Sequence, residues 1–156
     1  MGTEKLYRAQ AADGPKEVVT FDEATGQSFH EGQFVYLVNG EVTACASNST
    51  TIMGIAQADA STVQYTDCDV LLANPTQNFK MTSSEGTPAA LALTDIGVKY
   101  AIRVANNRTY IDPSDTSNGA MVIKEVLHDG ITAGTLNPLV IAVVIPAAFQ
   151  GLAAAA

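Results

Sequence analysis

Histidine and cysteine are scarce in this chain, and they are the residues that bear most directly on catalysis and metal binding. His30 and His128 each stand beside a turn, in the triplets HEG and HDG, which is typical of solvated loop residues. Cys45 and Cys68 lie inside strand-like runs, as small buried hydrophobic side chains do. Four widely spaced residues do not fit the organised ligand set of a zinc site, and no GxSxG elbow is present. The sequence therefore predicts no catalytic residues, no metal site and no cofactor.

Acidic side chains offer a second chemistry, the binding of calcium. Residues 112–119 (DPSDTSNG) have a suitable composition, but Ser114, Thr116 and Ile123 stand where an EF-hand places its ligands. Asp67 and Asp69 share one face of a predicted strand, and we interpret them as a solvated sheet edge that resists aggregation. Neither GxxxxGK[ST] nor GxGxxG occurs, so no phosphate-binding loop is predicted.

Strands joined by turns are the elements that must carry these residues. The predicted strands are residues 17–21, 33–46 as a hairpin about Asn39-Gly40, 51–56, 63–65, 69–73, 78–82, 100–111 as a hairpin about Asn106-Asn107, 121–127 with a turn at 129–130, and 139–145. Gly54 is predicted to mark a bulge or a close approach. The apolar run 139–145 (LVIAVVI) should form a central strand covered on both faces. A short helix is possible only near residues 88–93 (PAALAL).

This pattern predicts an all-β fold, one compact barrel or sandwich domain spanning residues 17–150. Residues 1–16 are expected to be an extended N-terminal arm, because breakers such as Gly14 and Pro15 interrupt any regular period. Residues 151–156 are expected to be a flexible tail of small side chains.

Charge divides the chain unevenly. Sixteen acidic residues face eight basic ones, and no Lys or Arg occurs between Glu17 and Phe79. A nucleic-acid partner is not expected, because phosphate binding needs a basic stripe. No apolar run is long enough to cross a membrane and no export signal is recognised, so we expect synthesis in a cytoplasm with reduced thiols. Only 15% of residues are charged, which suggests that oligomerisation covers part of the surface.

Several segments, taken in order, resemble the capsid decoration (cement, head-stabilising) proteins of tailed bacteriophages. The segments are residues 32–37 (GQFVYL), 40–43 (GEVT), 52–60 (IMGIAQADA), 70–75 (VLLANP) with Phe79, 95–100 (DIGVKY), 110–112 (YID) and 145–150 (IPAAFQ). The resemblance spans roughly residues 28–150 and lies in the order and spacing of these pieces. The first 20 residues match nothing specific.

The resemblance implies a β-barrel or β-tulip-like body, a homotrimer seated on the outside of the expanded capsid at local threefold positions. The partner would be the major capsid protein, and the added contacts would hold the shell against the pressure of packaged DNA. The protein would be made in the host cytoplasm and end in the virion. By analogy with that family, the capsid contact is expected at Lys5, Leu6, Tyr7 and Arg8 of the arm.

Three other functions stay open at this point. One is another virion part, a tail-tube or head-fibre component with a similar β body. Another is a carbohydrate-binding β-sandwich, although the chain has no Trp and its Tyr and Phe residues fall mainly inside strand runs. The last is a small trimeric β-barrel hydrolase with sites shared between subunits, for which no ordered motif is found.

Overall fold

Alternation of inward and outward side chains explains most of the strands that form. A computed structural model describes residues 9–82, 93–105, 108–126 and 139–150. In VVTFDE, for example, Val19, Phe21 and Glu23 turn inward while Asp22 faces solvent. The strands are β1 (Gln10–Ala11), β2 (Val18–Glu23), β3 (Phe34–Val38), β4 (Glu41–Ala44), β5 (Gly54–Ala56), β6 (Asp67–Leu72), β7 (Asn78–Thr82), β8 (Lys99–Ala105), β9 (Arg108–Asp112), β10 (Met121–Val126) and β11 (Leu139–Val144). Two 3-10 turns, Leu93–Asp95 and Pro146–Ala148, complete the described elements.

The first half of the chain closes into a five-stranded barrel. Its strands follow the order β2-β4-β3-β5-β6, and β6 pairs back onto β2. The pairs are antiparallel except β2 with β4, which run parallel. The predicted hairpin about Asn39-Gly40 is confirmed, since φ is 52° and 80° at the two turn residues. Those positive values are what a type I′ turn requires and what Asn and Gly tolerate best.

The second half forms a six-stranded antiparallel sheet of order β1-β7-β11-β10-β8-β9. β11 lies between β7 and β10, so the prediction of a central apolar strand is confirmed. The predicted second hairpin is confirmed as β8 paired with β9, while its turn at Asn106-Asn107 lies outside the described residues. β9 comes back toward β7, and the sheet curls into half a barrel.

The curled sheet and the barrel share one large hydrophobic core. Outward-facing barrel residues Phe34, Ile55 and Leu71 join the sheet's inner residues there, and the rings of Phe34 and Phe79 lie 5.2 Å apart. A second, smaller core fills the barrel itself and includes Val35, Val42 and Val70. The all-β prediction is confirmed, and the barrel is one part of a larger body. Because the sheet covers only one flank of the barrel, the outer faces of β2, β4 and the first half of β6 stay open to solvent.

Some local predictions are wrong or need correction. Residues 63–65 are not a strand but an exposed turn. Asp67 and Asp69 do share an exposed face, yet β6 is paired on both sides and is not a sheet edge. The expected close approach at Gly54 is confirmed, because a Cβ there would lie 2.1 Å from the Leu71 carbonyl oxygen.

Other predictions fall where the structure gives no description. These are the possible helix at 88–93 apart from its last residue, the turn at 129–130 and the tail at 151–156. In the described part of the chain, neither helical turn approaches the length or hydropathy needed to cross a bilayer.

Candidate interaction surfaces

Part of the segment predicted to be an extended N-terminal arm is paired with the curled sheet. Residues 9–13, which we assigned to the arm, are built into the edge of the curled sheet. Gln10 and Ala11 pair with Lys80 and Phe79 of β7, and the Ala12 N–H donates to the Asn78 carbonyl oxygen at 2.9 Å. The predicted capsid-contact residues Lys5, Leu6, Tyr7 and Arg8 lie outside the described residues. The described part of the chain starts at the next residue, Ala9, which is buried; we call it the attachment point of residues 1–8.

A small cleft of about 210 Å³ lies beside this attachment point. One wall is residues 9–11, and the other is formed by barrel residues 31–32 and 55–57. On the barrel side of the cleft, the Glu31 N–H donates to the Asp59 carboxylate at 2.8 Å. The place where residues 1–8 join the body therefore borders the segment that leads from β5 toward residues 60–66.

The segment that contains the barrel carries the whole net negative charge of the protein. Eight acidic residues and no Lys or Arg fall between Glu17 and Phe79, whereas the remainder of the chain has eight of each sign. Asp22 on β2 stands opposite Asp67 on β6 and opposite Glu41 on β4. Like charges that face each other across strands are destabilising. The three side chains nevertheless lie together on the open flank of the barrel.

A buried carboxylate holds the loop at this end of the barrel. Glu23 is 2% exposed, and its carboxylate oxygens accept the N–H of Ser61 at 2.9 and 3.1 Å and that of Thr62 at 2.9 Å. Its main chain also engages the loop, with the Tyr65 N–H donating to the Glu23 carbonyl oxygen at 2.8 Å. We call residues 60–66 the barrel loop. Its backbone is fixed by the last residue of β2.

The barrel loop is strained and displays apolar side chains. Thr62 and Tyr65 have φ of 72° and 67°, values that β-branched and aromatic residues rarely adopt. Val63 is 61% exposed and Tyr65 is 65% exposed. The Gln64 amide donates to the Glu41 carboxylate at 2.8 Å, which brings the loop beside the end of the β3–β4 hairpin and its exposed Val38. We call Val38, Val63 and Tyr65, with Asp22, Glu41 and Asp67, the barrel end.

The residues singled out for catalysis are not brought together. His30 Nδ1 lies 3.7 Å from Asp59 Oδ1, with the His30 side chain half-buried and the Asp59 side chain exposed. His128 is outside the described residues. Cys45 and Cys68 are free, buried thiols, as predicted. Burial raises the pKa of Cys45 to about 12. Burial, with the negative charges of Glu23 and Asp69, raises that of Cys68 to about 11. The raised pKa values keep both thiols protonated near neutral pH. Because the thiolate is the nucleophile, neither cysteine is activated.

The polar loop at residues 112–119 uses its carboxylates on its own backbone. Asp112 Oδ1 accepts the Ser114 N–H at 3.0 Å, and Asp115 Oδ1 accepts the N–H groups of Ser117 and Asn118 at 2.9 and 3.1 Å. The Asn118 side-chain amide, which donates to Asp115 Oδ2 at 3.0 Å, lowers the pKa of Asp115, and so do the backbone N–H groups of Asn118 and Ser117. Across the described ranges, no three His, Cys, Asp or Glu side chains are grouped so that they could hold a metal ion.

Sequence reasoning missed Glu23 and the barrel loop. A signal was present, because the alternation of β2 places Glu23 on the same inward face as Val19 and Phe21. A carboxylate at an inward position needs hydrogen-bond donors. The donors come from residues about 38 positions later, which no local pattern identifies. Comparison with known proteins adds no identification: no protein-family model and no curated protein sequence matches the chain.

Proposed function

We propose that this protein is a structural component of a bacteriophage virion, a homotrimeric decoration protein that binds the major capsid protein on the outside of the expanded shell and stabilises it. The proposal comes from the resemblance of residues 28–150 to that family. The described geometry is compatible with it, because the described residues offer surfaces for binding partners and no assembled catalytic group.

The observation that supports this function most directly is the built-in edge strand β1. Its two residues pair with β7, and Ala9 is buried just before them, so residues 1–8 are tethered to a rigid sheet. A tethered segment reaches its partner at a high effective concentration, and an extended segment can add to a sheet edge of that partner. Lys5, Leu6, Tyr7 and Arg8 would then supply the capsid contact, with Tyr and Arg as the residue types that dominate binding energy.

The carbohydrate-binding alternative is less well supported. Sugar-binding surfaces use exposed aromatic rings. Within the described ranges Tyr65 is the only exposed aromatic side chain, and the ring pair found there, Phe34 with Phe79, is buried.

Cosedimentation with expanded, decoration-free capsids tests the proposal, with light scattering of the free protein to give its mass. We expect saturable binding, a mass of three chains, and capsids that survive heating better when decorated. A variant with Lys5, Leu6, Tyr7 and Arg8 all changed to Ala should bind more weakly. A chain lacking residues 151–156 is the control for an alteration near a chain terminus, since it changes the opposite end of the protein. Absence of capsid binding by the unaltered protein would refute the proposed function.

A further inference from the structure

We infer that the barrel end, defined above by Val38, Val63 and Tyr65 with Asp22, Glu41 and Asp67, is a second docking surface that takes a basic, apolar-centred patch of the capsid. The inference rests on the proposed function, because it assigns the same partner a second contact. It adds a surface that the family resemblance does not indicate and that lies far from the predicted arm residues in sequence.

The first argument is that this surface is fixed before binding. The Glu23 carboxylate holds the N–H groups of Ser61 and Thr62, and the Thr66 hydroxyl donates to the Val63 carbonyl oxygen at 2.9 Å. Positive φ at Thr62 and Tyr65 costs free energy, and the hydrogen bonds of their N–H groups to Glu23 offset that cost. A loop held this way loses little conformational entropy when a partner covers it, which favours affinity. Exposed Val63 and Tyr65 would gain from being covered.

The second argument is charge. Asp22, Glu41 and Asp67 stand side by side, and the sequence from Glu17 to Phe79 supplies no cation to compensate them. A partner that places Lys or Arg beside these carboxylates would relieve their mutual repulsion and would be steered toward them over a distance. An acidic or purely apolar partner surface would neither relieve this repulsion nor be attracted to the carboxylates. The three carboxylates of the barrel end therefore favour a basic partner surface, and its exposed apolar side chains favour a partner surface with a hydrophobic centre.

The third argument is continuity with the arm. The cleft beside the buried Ala9 has Gln57 in its far wall, and residues 57–66 run from there to the barrel end. Within that segment the Ala60 N–H donates to the Phe29 carbonyl oxygen at 2.8 Å, which holds its start on the barrel. One partner surface can thus meet the arm at the cleft and the barrel loop at the barrel end. Two linked contacts strengthen each other through effective concentration.

The test is cosedimentation of full-length variants with the same expanded capsids. The double variant Val63→Ser, Tyr65→Asn removes the exposed apolar side chains of the barrel loop. Asn is chosen at position 65 because it tolerates the φ of 67° found there. Asp22→Asn with Asp67→Asn removes the charges. Ile96→Ser and Glu125→Gln are the controls, since Ile96 is an exposed apolar residue in the turn before β8 and Glu125 is an exposed acid on β10 of the curled sheet. In each variant, a single cooperative urea transition with a midpoint no lower than that of the unaltered protein establishes that the fold is intact.

We expect the apolar double variant to lose roughly tenfold or more in affinity, as interface anchors do. The charge variant should bind more weakly at low salt and show a flatter salt dependence. The controls should bind like the unaltered protein. Barrel-end variants that bind as well as the controls would overturn this inference and leave the proposed function standing. Absence of binding by the unaltered protein overturns both. A smaller mass of the free Val63→Ser, Tyr65→Asn variant would make the surface a contact between copies instead.

Discussion

Replacement of Glu23 by Gln is the perturbation that most directly tests how the barrel loop is held. The Glu23 carboxylate gives Ser61 and Thr62 acceptors at 2.9 to 3.1 Å, and both of its oxygens are used. An amide keeps the size of the side chain but replaces one oxygen by NH2, itself a donor. Whichever way the amide is turned, at least one of the two backbone N–H groups then faces a donor.

The expected decrease in the free energy of unfolding follows from that lost hydrogen bond. A hydrogen bond to a charged group contributes about 1.5–3 kcal/mol to stability. Water can reach Ser61 and Thr62, which are exposed residues, so we take about 2 kcal/mol as the loss. Removal of one negative charge from the acidic barrel acts in the opposite direction. Glu17→Gln removes a charge from an exposed position on the same barrel and is the control for that effect.

Urea unfolding and amide hydrogen exchange measure the result. Relative to Glu17→Gln, the Glu23→Gln midpoint should fall by roughly 1 M, given urea slopes of about 1–3 kcal/mol per molar. The Ser61 and Thr62 amides should exchange roughly 30-fold faster, which is 2 kcal/mol expressed as a ratio. Equal midpoints for the two variants, with unchanged exchange at both amides, would show that the carboxylate does not hold the loop.

Three further predictions concern the barrel and the buried thiols. Asp22→Asn should raise the free energy of unfolding by about 0.5 kcal/mol at low salt, and the gain should shrink at high salt, because repulsion by Asp67 and Glu41 is screened there; a gain that does not depend on salt would contradict this reason. Gly54→Ala should lower stability by about 3 kcal/mol or prevent folding, since the new Cβ meets the Leu71 backbone, and a urea midpoint near that of the unaltered protein would be incompatible with the packing described. Cys45 and Cys68 have folded pKa values of about 12 and 11, above the ordinary 9.0, so the stability they contribute is complete below pH 9 and is lost as pH rises from 9 toward 11 to 12. A Cys45→Ala, Cys68→Ala variant should therefore show a shallower decline in urea midpoint above pH 9, and an equally steep decline would refute the assignment.

Local patterns in the sequence were enough for much of the fold. Short runs of strand-forming residues located β2, β7 and β10, Asn39-Gly40 located a turn, and the apolar run at 139–145 indicated a central strand. These features succeed because each depends on neighbours within a few residues, through the period of two and through φ preferences. The lack of cations from Glu17 to Phe79 is also plain in the sequence.

The same local patterns misled where a distant contact decided the outcome. Residues 63–65 have strand-forming side chains, yet they form a turn. The Glu23 carboxylate holds the N–H groups of Ser61 and Thr62 just before them, and the Tyr65 N–H donates to the Glu23 carbonyl oxygen. Asp67 and Asp69 look like an edge, but closure of the barrel pairs β6 on both sides. Gln10 and Ala11 have no strand signal of their own, and they form a strand because β7 offers an unpaired edge.

The sequence by itself thus determined the all-β class, most strand positions and the uneven distribution of charge. Only the tertiary structure decided that the acidic half closes into a barrel, that Glu23 turns inward to hold the barrel loop, and that Asp22, Glu41 and Asp67 meet on one flank. The physical reason is that strand pairing joins residues tens of positions apart. The free energy of that pairing depends on packing and burial that no short window of sequence contains.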